Sequence, residues 1–378
     1  MAKEIGLITK VISPVPNKPI LIASLPGMDS TLPSILLNSH YDVVPVMADM
    51  WNETNPPFAA EIDADGFIYA RGTQDMKCVC IQYLEALRLI VSSGVKLTRD
   101  VHCTFVPDEE IGGVEGAAKL LQTQEFKDLN VGVGLDEGLA NPENEYTVFY
   151  AERAVNWLSI IIEGPTGHGS QFIKNTAVEK LSRLLSKIYK YRGEQEAKLE
   201  CGCKHANAVR LGDVATVNVN AVQAGVPGPE IYGGYAANVI PMMAKALMDV
   251  RIPPHITVEE WKDTVLKDWL DDEGMTAKFH FETAVHNITS TDRAKNKWWG
   301  VMEDTLKATG VTLSKQVFPA ATDSRFIREL GLPCFGFSPM RNTKILLHDH
   351  NECLNAKVFV DGIKVYEKLV PALANMKD

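Results

Sequence analysis

The sequence lacks the features that would direct a protein to a membrane or to nucleic acid. Its first residues have no apolar core of the signal-peptide kind, and no uninterrupted apolar stretch approaches the length of a membrane span. Basic residues are outnumbered: 38 Lys and Arg stand against 48 Asp and Glu, for a formal net charge of −10. Nucleic acid and anionic membranes require a basic surface, so neither is expected as a partner. An anionic small substrate needs only one or two local cations and remains compatible with this charge.

Cysteine is also sparse, and its pattern excludes a disulfide framework. The seven cysteines are odd in number and scattered through a large chain, which predicts reduced thiols and a cytoplasmic protein. Two C-x-C pairs occur, Cys78/Cys80 and Cys201/Cys203. Neither has the C-x-x-C spacing of a structural zinc site, so we interpret both as ordinary thiols.

What the sequence does contain is enough chain for two domains with different strand patterns. Up to about residue 151, strand and helix patterns alternate, which is typical of a mostly parallel sheet flanked by helices. The middle of the chain follows the order β-α-β-β-α-β of a ferredoxin-like split unit, and α/β character then returns. We therefore predict an α/β catalytic domain at residues 1–151 and 290–378, interrupted by an inserted ferredoxin-like domain at residues 152–289.

An acidic cluster follows one of the predicted buried strands. The apolar run Val101 to Val106 leads directly to Asp108, Glu109 and Glu110, and a glycine pair then ends the run. Adjacent side chains on extended backbone point to opposite faces, so Glu109 and Glu110 cannot share one direction. One can hold a metal while the other stays free as a proton carrier. That division of labour is what metal-assisted hydrolysis needs.

Further acidic and histidine side chains stand at predicted strand ends or near the C-terminus: His40/Asp42, Asp75, Asp136/Glu137 and His348. Each has a structural explanation by itself, as a helix N-cap, a turn residue or a surface histidine. Taken together they favour a site, because the strand ends of an open α/β sheet converge on one crevice. Clustered carboxylates repel one another unless a cation neutralises them, and two imidazoles with several carboxylates suit zinc.

Four of these segments resemble the metal motifs of the co-catalytic zinc peptidases and deacylases, a family of glutamate carboxypeptidases, dipeptidases and aminoacylases. The segments are Ser39–Pro45, Tyr69–Lys77, Phe105–Gly113 and Leu135–Gly138. The resemblance runs from about Pro33 to the C-terminus, and its distinctive stretches at residues 320–325 and 336–340 are most similar to the aminoacylases. It implies zinc-dependent hydrolysis of N-acyl-L-amino acids, typically N-acetyl compounds with neutral side chains.

The resemblance also implies a ligand set for two zinc ions per subunit: His40, Asp75, Glu110, Glu137 and His348. Asp75 would bridge the two ions. His40 and Glu137 would complete one site, and Glu110 and His348 would complete the other.

Further roles follow from the same resemblance. Asp42, on the same strand face as His40, would orient that imidazole, and Glu109 would be the general base. His168 reads from the residues alone equally well as a turn histidine. It resembles a histidine that reaches the partner subunit's active site and stabilises an oxyanion, which implies a homodimer and makes the inserted domain a lid and dimerisation domain. Asn238 would add a second polar contact, and Arg325 would hold the substrate carboxylate.

Two departures and two alternatives accompany this interpretation. Only a short segment precedes Pro33, where aminoacylases usually carry an extra helix and strand, so we expect exposed apolar surface on the catalytic domain. Residues 225–234 look like an insertion just before Asn238, which would bear on the position of that side chain. Arg251 is a weaker candidate for the carboxylate contact. The alternatives are a dipeptidase or carboxypeptidase on the same scaffold, and a non-catalytic relative; the run around Gln74 favours an aminoacylase.

Overall fold

The computed structural model describes residues 1–199, 209–283 and 288–377. The chain forms two compact units. The first unit comprises Met1–Ala151, Asn287–Phe318 and Thr322–Asp378, and the second comprises Glu152–His286 and Pro319–Ala321. None of the helices in these described ranges combines the length and apolarity that a membrane crossing requires. The Cys201/Cys203 pair lies outside the described residues.

An eight-stranded sheet organises the first unit, and its centre is parallel. The four central strands, in their order across the sheet, are Val101–Val106, Ser34–His40, Val131–Asp136 and Cys334–Phe337. Lys18–Leu25 pairs antiparallel with the first of these and is followed by Ile8–Val15, while Glu145–Glu152 pairs antiparallel with the last and is followed by Thr312–Phe318. Every residue of two central strands is buried, as expected where helices cover both faces. The predicted α/β class with a mostly parallel sheet is confirmed.

Helices cover both faces of this sheet. One apolar core lies under the longer helices Lys77–Ser93, Lys297–Lys307 and Ala356–Ala374. A second core, on a separate cluster of strand residues, lies under the short helices Ala117–Leu120, Gln124–Asp128 and Ser324–Glu329. The helix Ala2–Ile5 adds a single turn ahead of the first strand. This sandwich leaves the ends of the parallel strands as the places where polar side chains can gather.

A small three-stranded sheet in the same unit links two distant parts of the chain. Its strands, in order, are Cys353–Asn355, Phe67–Tyr69 and Glu61–Ile62. The pairing places the segment that ends at Glu352 beside the segment that begins at Ala70. Both segments carry predicted site residues, so this sheet contributes directly to the site.

The N-terminal hairpin Ile8–Val15 and Lys18–Leu25 is not predicted by the sequence pattern. Pro14, Pro16 and Pro19 lie within or between its strands, and proline inside a run disfavours a strand assignment. Pro14 is tolerated because its strand is at the sheet edge, where the outer backbone groups need no partner, and Pro19 precedes Leu21, where the pairing of its strand with Val101–Val106 begins. Ile8 and Val11 are solvent-exposed on this edge strand.

The second unit contains a four-stranded antiparallel sheet packed against helices on one face. The strands, in their order across the sheet, are Thr216–Ala224, Met243–Ile252, Ala154–Glu163 and Met275–Glu282. Helix Ala177–Ala197 and the continuous helical turns Val258–Trp261, Lys262–Leu266 and Lys267–Trp269 complete it. By chain order the sheet runs 2-3-1-4, which is the predicted ferredoxin-like unit. A separate two-stranded ribbon pairs Gly167–His168 with Val239–Ile240.

Candidate metal centre

The carboxyl ends of the central parallel strands carry the predicted acidic and histidine side chains. His40 is the last residue of its strand, and Glu137 directly follows the strand Val131–Asp136. Glu109 and Glu110 lie in a short 3₁₀ turn that begins three residues after Val106, rather than on the extended backbone expected from the apolar run. Since these strands are parallel neighbours, their carboxyl ends meet at one edge of the sheet.

Asp75 lies between the two histidines and offers one carboxylate oxygen to each. Its Oδ1 is 3.1 Å from Nε2 of His40, and its Oδ2 is 3.2 Å from Nε2 of His348. Glu137 Oε2 lies 3.7 Å from His40 Nε2, and Glu110 Oε2 lies 2.9 Å from His348 Nε2. The structure therefore brings together all five predicted ligands as two triads that share Asp75.

Potential ligand atoms also converge around His40 in two further combinations. Those of His40, Asp75 and Glu110 all lie within 4.8 Å of one another, and so do those of His40, Glu109 and Glu137. Glu109 thus stands beside the ligand set without being needed for either triad. Imidazole nitrogens with carboxylate oxygens form a donor set that fits zinc, so the residues present fit the metal that the sequence predicts.

Asp42 fixes both the histidine and the acidic turn. Its Oδ1 is 3.4 Å from Nδ1 of His40, which leaves Nε2 facing the site. The same carboxylate accepts hydrogen bonds from the backbone N–H of Glu109 at 3.2 Å and of Glu110 at 3.1 Å. A backbone N–H of Val44 in turn donates to Glu110 Oε1 at 3.2 Å. One carboxylate therefore sets the relative positions of three site residues.

The carboxyl groups of the site are buried close together, and this raises the pKa of two of them. Burial, followed by the negative charge of Asp323, raises the pKa of Glu109 well above its usual range. Burial, followed by the charges of Glu109 and Asp75, does the same to the pKa of Glu137. Carboxyl groups held this close resist ionising together unless a cation joins them.

The pKa values of the two histidines are raised as well, which favours the charged form of each imidazole. Burial disfavours the charged form of His40, but hydrogen bonds to its neighbouring carboxylates outweigh that penalty and raise the pKa of the imidazole. Hydrogen bonds to Asp75 and Glu110 raise the pKa of His348 to about 10. Both imidazoles therefore lie in strongly negative surroundings, which also favour the binding of a cation.

Comparison with known proteins assigns the family. The model of peptidase family M20/M25/M40 matches residues 36–372. This chain belongs to the M20/M25/M40 family. It is 47% identical to Aminoacylase-1 of Dictyostelium discoideum over 360 residues, which is 95% of this chain and 87% of that protein. It is 40% identical to Aminoacylase-1 of Homo sapiens over 377 residues, covering 99% of this chain and 88% of the human protein.

Solved structures agree on the M20 fold. A tripeptidase from Staphylococcus aureus superposes with a TM-score of 0.71 at 17% identity, covering 99% of this chain and 91% of that one. A dinuclear metal-binding peptidase of the M20 family from Bacillus subtilis superposes with a TM-score of 0.65 at 17% identity, covering 98% and 88% of the two chains. At these identities the likeness concerns the fold.

Arg325 lies beside the acidic turn of this M20 site. Its Nη2 donates to the carbonyl of Gly112 at 2.6 Å, and its Nη1 donates to the carbonyl of Thr322 at 3.1 Å. The guanidinium also stacks over the ring of Phe326, 4.4 Å from its centroid. The structure thus places Arg325 near the predicted ligands, with two of its nitrogens engaged by backbone carbonyls.

His168 and Asn238 belong to the second unit and are neighbours there. His168 pairs with Val239 across the two-stranded ribbon, and the N–H of Gly169 donates to the carbonyl of Asn238 at 2.8 Å. Both side chains are exposed. Nδ1 of His168 accepts a hydrogen bond from the N–H of Ser170 at 3.2 Å, and the Ser170 hydroxyl lies 2.7 Å away.

The apparent insertion at residues 225–234 closes on itself. The N–H of Gly228 donates to the carbonyl of Gly234, and the N–H of Ala236 donates to that of Val226. Asn238 remains directly beside the His168 strand after this loop. Arg251, the weaker candidate for a carboxylate contact, is in the same unit and is engaged by Asp249, with its Nε 2.6 Å from Oδ1.

Two buried acids near the site do not stand out in the sequence as site residues. Glu352 has no exposed surface and accepts hydrogen bonds from the loop that carries Asp75. Asp323 is 1% exposed, and neither of its carboxylate oxygens has a hydrogen-bond partner among the described residues. Burial, followed by the charge of Asp136, raises the pKa of Asp323 to about 8. Their positions in motif-like runs, four residues after His348 and two before Arg325, are the only sequence signals.

Proposed function

We propose that this M20 protein hydrolyses N-acyl-L-amino acids, typically N-acetyl compounds with neutral side chains, to a free amino acid and a carboxylate. The observation that carries this proposal is the identity of 40–47%, over at least 95% of the chain, to proteins named Aminoacylase-1. The geometry at the strand ends supports it, because a metal-assisted amide hydrolase needs a cluster of ligands with a free carboxylate beside it.

The centre would hold two zinc ions, with Asp75 between them. His40 and Glu137 would complete one site, and Glu110 and His348 would complete the other. The two-sided contacts of Asp75 with the histidines support this assignment, and the M20 peptidase from Bacillus subtilis is described as dinuclear. When bound, the two ions would supply activation of water and polarisation of the amide carbonyl.

Glu109 would move the proton. Its carboxylate would take a proton from the attacking water as the C–O bond forms. It would then return that proton to the amide nitrogen as the C–N bond breaks and the amine leaves. Its carboxylate has an oxygen within 4.8 Å of ligand atoms of His40 and Glu137, which puts it beside the site where the water would be activated.

Arg325 would recognise the free α-carboxylate of the substrate. Its planar fork suits a carboxylate, and a charged acceptor would compete for the donors that now face the carbonyls of Gly112 and Thr322. Asn238 would provide a further polar contact.

His168 would donate a hydrogen bond to the developing oxyanion. Because its Nδ1 accepts from the N–H of Ser170, a neutral imidazole must carry its proton on Nε2. That N–H is the donor that an oxyanion requires.

We further propose a homodimer in which His168 of one subunit serves the site of the other, with residues 152–289 acting as a lid and dimerisation domain. Exposed apolar side chains near His168 support this, because surfaces of this kind are usually covered. Phe172 is fully exposed four residues after His168, and Met242 is largely exposed just beyond the opposite strand. A cytoplasmic location remains the expectation from the cysteine pattern.

A turnover panel tests the proposed function. N-acetyl-methionine, other N-acyl amino acids and free dipeptides are assayed with zinc added, after chelation and after zinc is restored. We expect fastest turnover of an N-acyl amino acid, abolished by chelation and recovered with zinc. Faster cleavage of free dipeptides would assign the protein to the peptidases instead. Bound zinc without turnover of any acylated amino acid would indicate a binding protein.

A further inference from the structure

Both Asp75 and His348 lie on irregular backbone that needs outside support. Asp75 is in the loop between the strand Phe67–Tyr69 and the helix Lys77–Ser93. His348 is in a long turn-rich segment and has a positive φ of 64°. No strand or helix of the described residues carries either side chain. Their 3.2 Å approach must therefore be set by side chains that join the two segments.

Glu352 follows His348 in the chain and binds the loop that carries Asp75. Its Oε2 accepts from Arg71 Nη1 at 2.7 Å and from the N–H of Gly72 at 3.1 Å. Its Oε1 accepts from the N–H of Gln74 at 2.6 Å and from that of Asp75 at 3.3 Å. A carboxylate with no exposed surface is costly to bury unless its oxygens are paired in this way. The segment that carries His348 is thus hydrogen-bonded to the loop that carries Asp75, and one of these bonds comes from the backbone N–H of Asp75 itself.

Gln74 lies on the loop that carries Asp75 and binds the segment that carries His348. Its Nε2 donates to the carbonyls of Lys344 at 3.0 Å and Cys353 at 2.8 Å, and its Oε1 accepts from the N–H of Leu346 at 3.0 Å. These three backbone groups lie on both sides of His348 in the chain. A carboxamide is suited to this task because it combines two donor hydrogens with an acceptor oxygen.

We infer that Gln74 and Glu352 are a reciprocal pair of positioning residues that set the separation between the bridging Asp75 and His348, and so tune occupancy of the second metal site. The inference rests on the proposed metal centre. Neither residue faces the cluster as a ligand. Each acts on a ligand through its backbone, as supporting residues around metal sites do.

A buried glutamine elsewhere in the same unit provides a matched control. Gln82 has no exposed surface, and its Nε2 donates to the carbonyl of Phe359 at 2.9 Å, joining two helices. Gln74→Met and Gln82→Met make the same change of shape and polarity at comparable depth. Only Gln74→Met removes hydrogen bonds to the segment that carries His348.

The test measures zinc per chain by mass spectrometry of the metal as a function of buffered free zinc, with melting temperature recorded in chelator. We expect wild type and Gln82→Met to fill two sites at the same free zinc. Gln74→Met is expected to need about 10–100-fold more zinc to fill the second site, whatever the loss of melting temperature. Glu352→Gln, which keeps size and loses charge, is a second variant with the same expected direction, and Gln74→Asn replaces Gln74→Met if the latter does not fold.

The inference is overturned if the Gln74 and Glu352 variants both fill two zinc sites at the same free zinc concentration as wild type. The two residues would then have only a structural role. Failure of the proposed function is distinguished by the wild-type curve. If wild type binds no zinc, the metal centre itself is wrong and the inference falls with it. If wild type binds two zinc ions and the variants bind zinc as wild type does, only the positioning role is refuted.

Discussion

The metal centre and the ribbon around His168 are built by opposite means. In the metal centre, five predicted ligands from separate segments are interlocked by hydrogen bonds, and Asp42 alone holds one histidine and two backbone N–H groups. The ribbon pairs two strands of only two residues each, and His168 is exposed and supported locally by Ser170. The centre is pre-organised inside one unit, whereas the ribbon exposes its histidine on the surface of the other.

Because of this difference, the two regions should respond differently to the removal of a side chain. Buried charges such as Asp75 and Glu137 depend on their partners, so removing one group disturbs the others. An exposed histidine depends on little around it, so removing it should leave the fold intact. Substitutions in the two regions can therefore be separated by their effects on activity, metal content and stability.

The largest effect is expected from Glu109→Gln. Loss of the proton carrier should lower kcat for N-acetyl-methionine by about 10²–10⁴-fold, the usual contribution of general acid–base catalysis. Zinc content should stay at the wild-type level because Glu109 is not a predicted ligand. Glu115→Gln, an exposed change on the same loop, is the control and should be nearly silent. Near-normal turnover by the Glu109 variant would remove the general-base assignment.

A smaller effect, with no loss of stability, is expected from His168→Ala. Removal of an oxyanion donor should lower kcat by about 10²–10³-fold, while the melting temperature stays unchanged because the side chain is exposed. His255→Ala, another exposed histidine of the second unit, is the control.

Mixing the His168→Ala and Glu109→Gln proteins tests action across subunits. A mixed dimer would contain one site with an intact Glu109 that receives an intact His168, so activity should reappear on mixing. Absence of recovery in a demonstrated mixed dimer, or full wild-type activity in a strictly monomeric protein, would rule out the arrangement in trans.

The smallest effect is expected from Asp323→Asn, and it should appear as a pH dependence of stability. The pKa of Asp323 is raised to about 8 in the folded protein, against an ordinary value of 3.8. Between these values the folded state keeps a proton that the unfolded state has lost, so wild-type stability falls as pH rises. The variant should flatten that fall in chelator-treated protein, because asparagine has no proton to lose in this pH range.

Urea unfolding of both proteins at pH 5 and pH 9 measures this. Asp128→Asn is the control, because it makes the same chemical change at an exposed carboxylate. Parallel pH profiles for wild type and the Asp323 variant would show that Asp323 titrates normally and would weaken the contrast between the buried centre and the exposed ribbon.

Much of the frame was predictable because its signals are local. The run Val101–Val106 is mostly apolar and lies in a strand that is buried throughout, as expected of a central parallel strand. The hairpin Ile8–Val15 and Lys18–Leu25 was not predicted. Pro14 is tolerated because Ile8–Val15 is an edge strand, a position that the local sequence does not reveal.

The supporting residues were unpredictable for a different reason. Glu352 acts on Gly72, 280 residues away, and nothing in its neighbours marks that contact. Asp323 resembles an ordinary residue before a helix until the fold buries it without a hydrogen-bond partner among the described residues. Such roles depend on long-range pairing, which periodicity and spacing do not encode.

The sequence by itself determined which groups are available to this protein: which predicted strand ends carry imidazole and carboxylate groups, and that the middle of the chain has the strand and helix order of a ferredoxin-like unit. Only the tertiary structure decided that Asp75 offers one oxygen to each histidine, that Asp42 serves His40 and the acidic turn together, and that Gln74 and Glu352 hold two irregular segments against each other. Residue type and local pattern specify which groups are available. Distances between groups hundreds of residues apart are set only when the sheets assemble and the cores close.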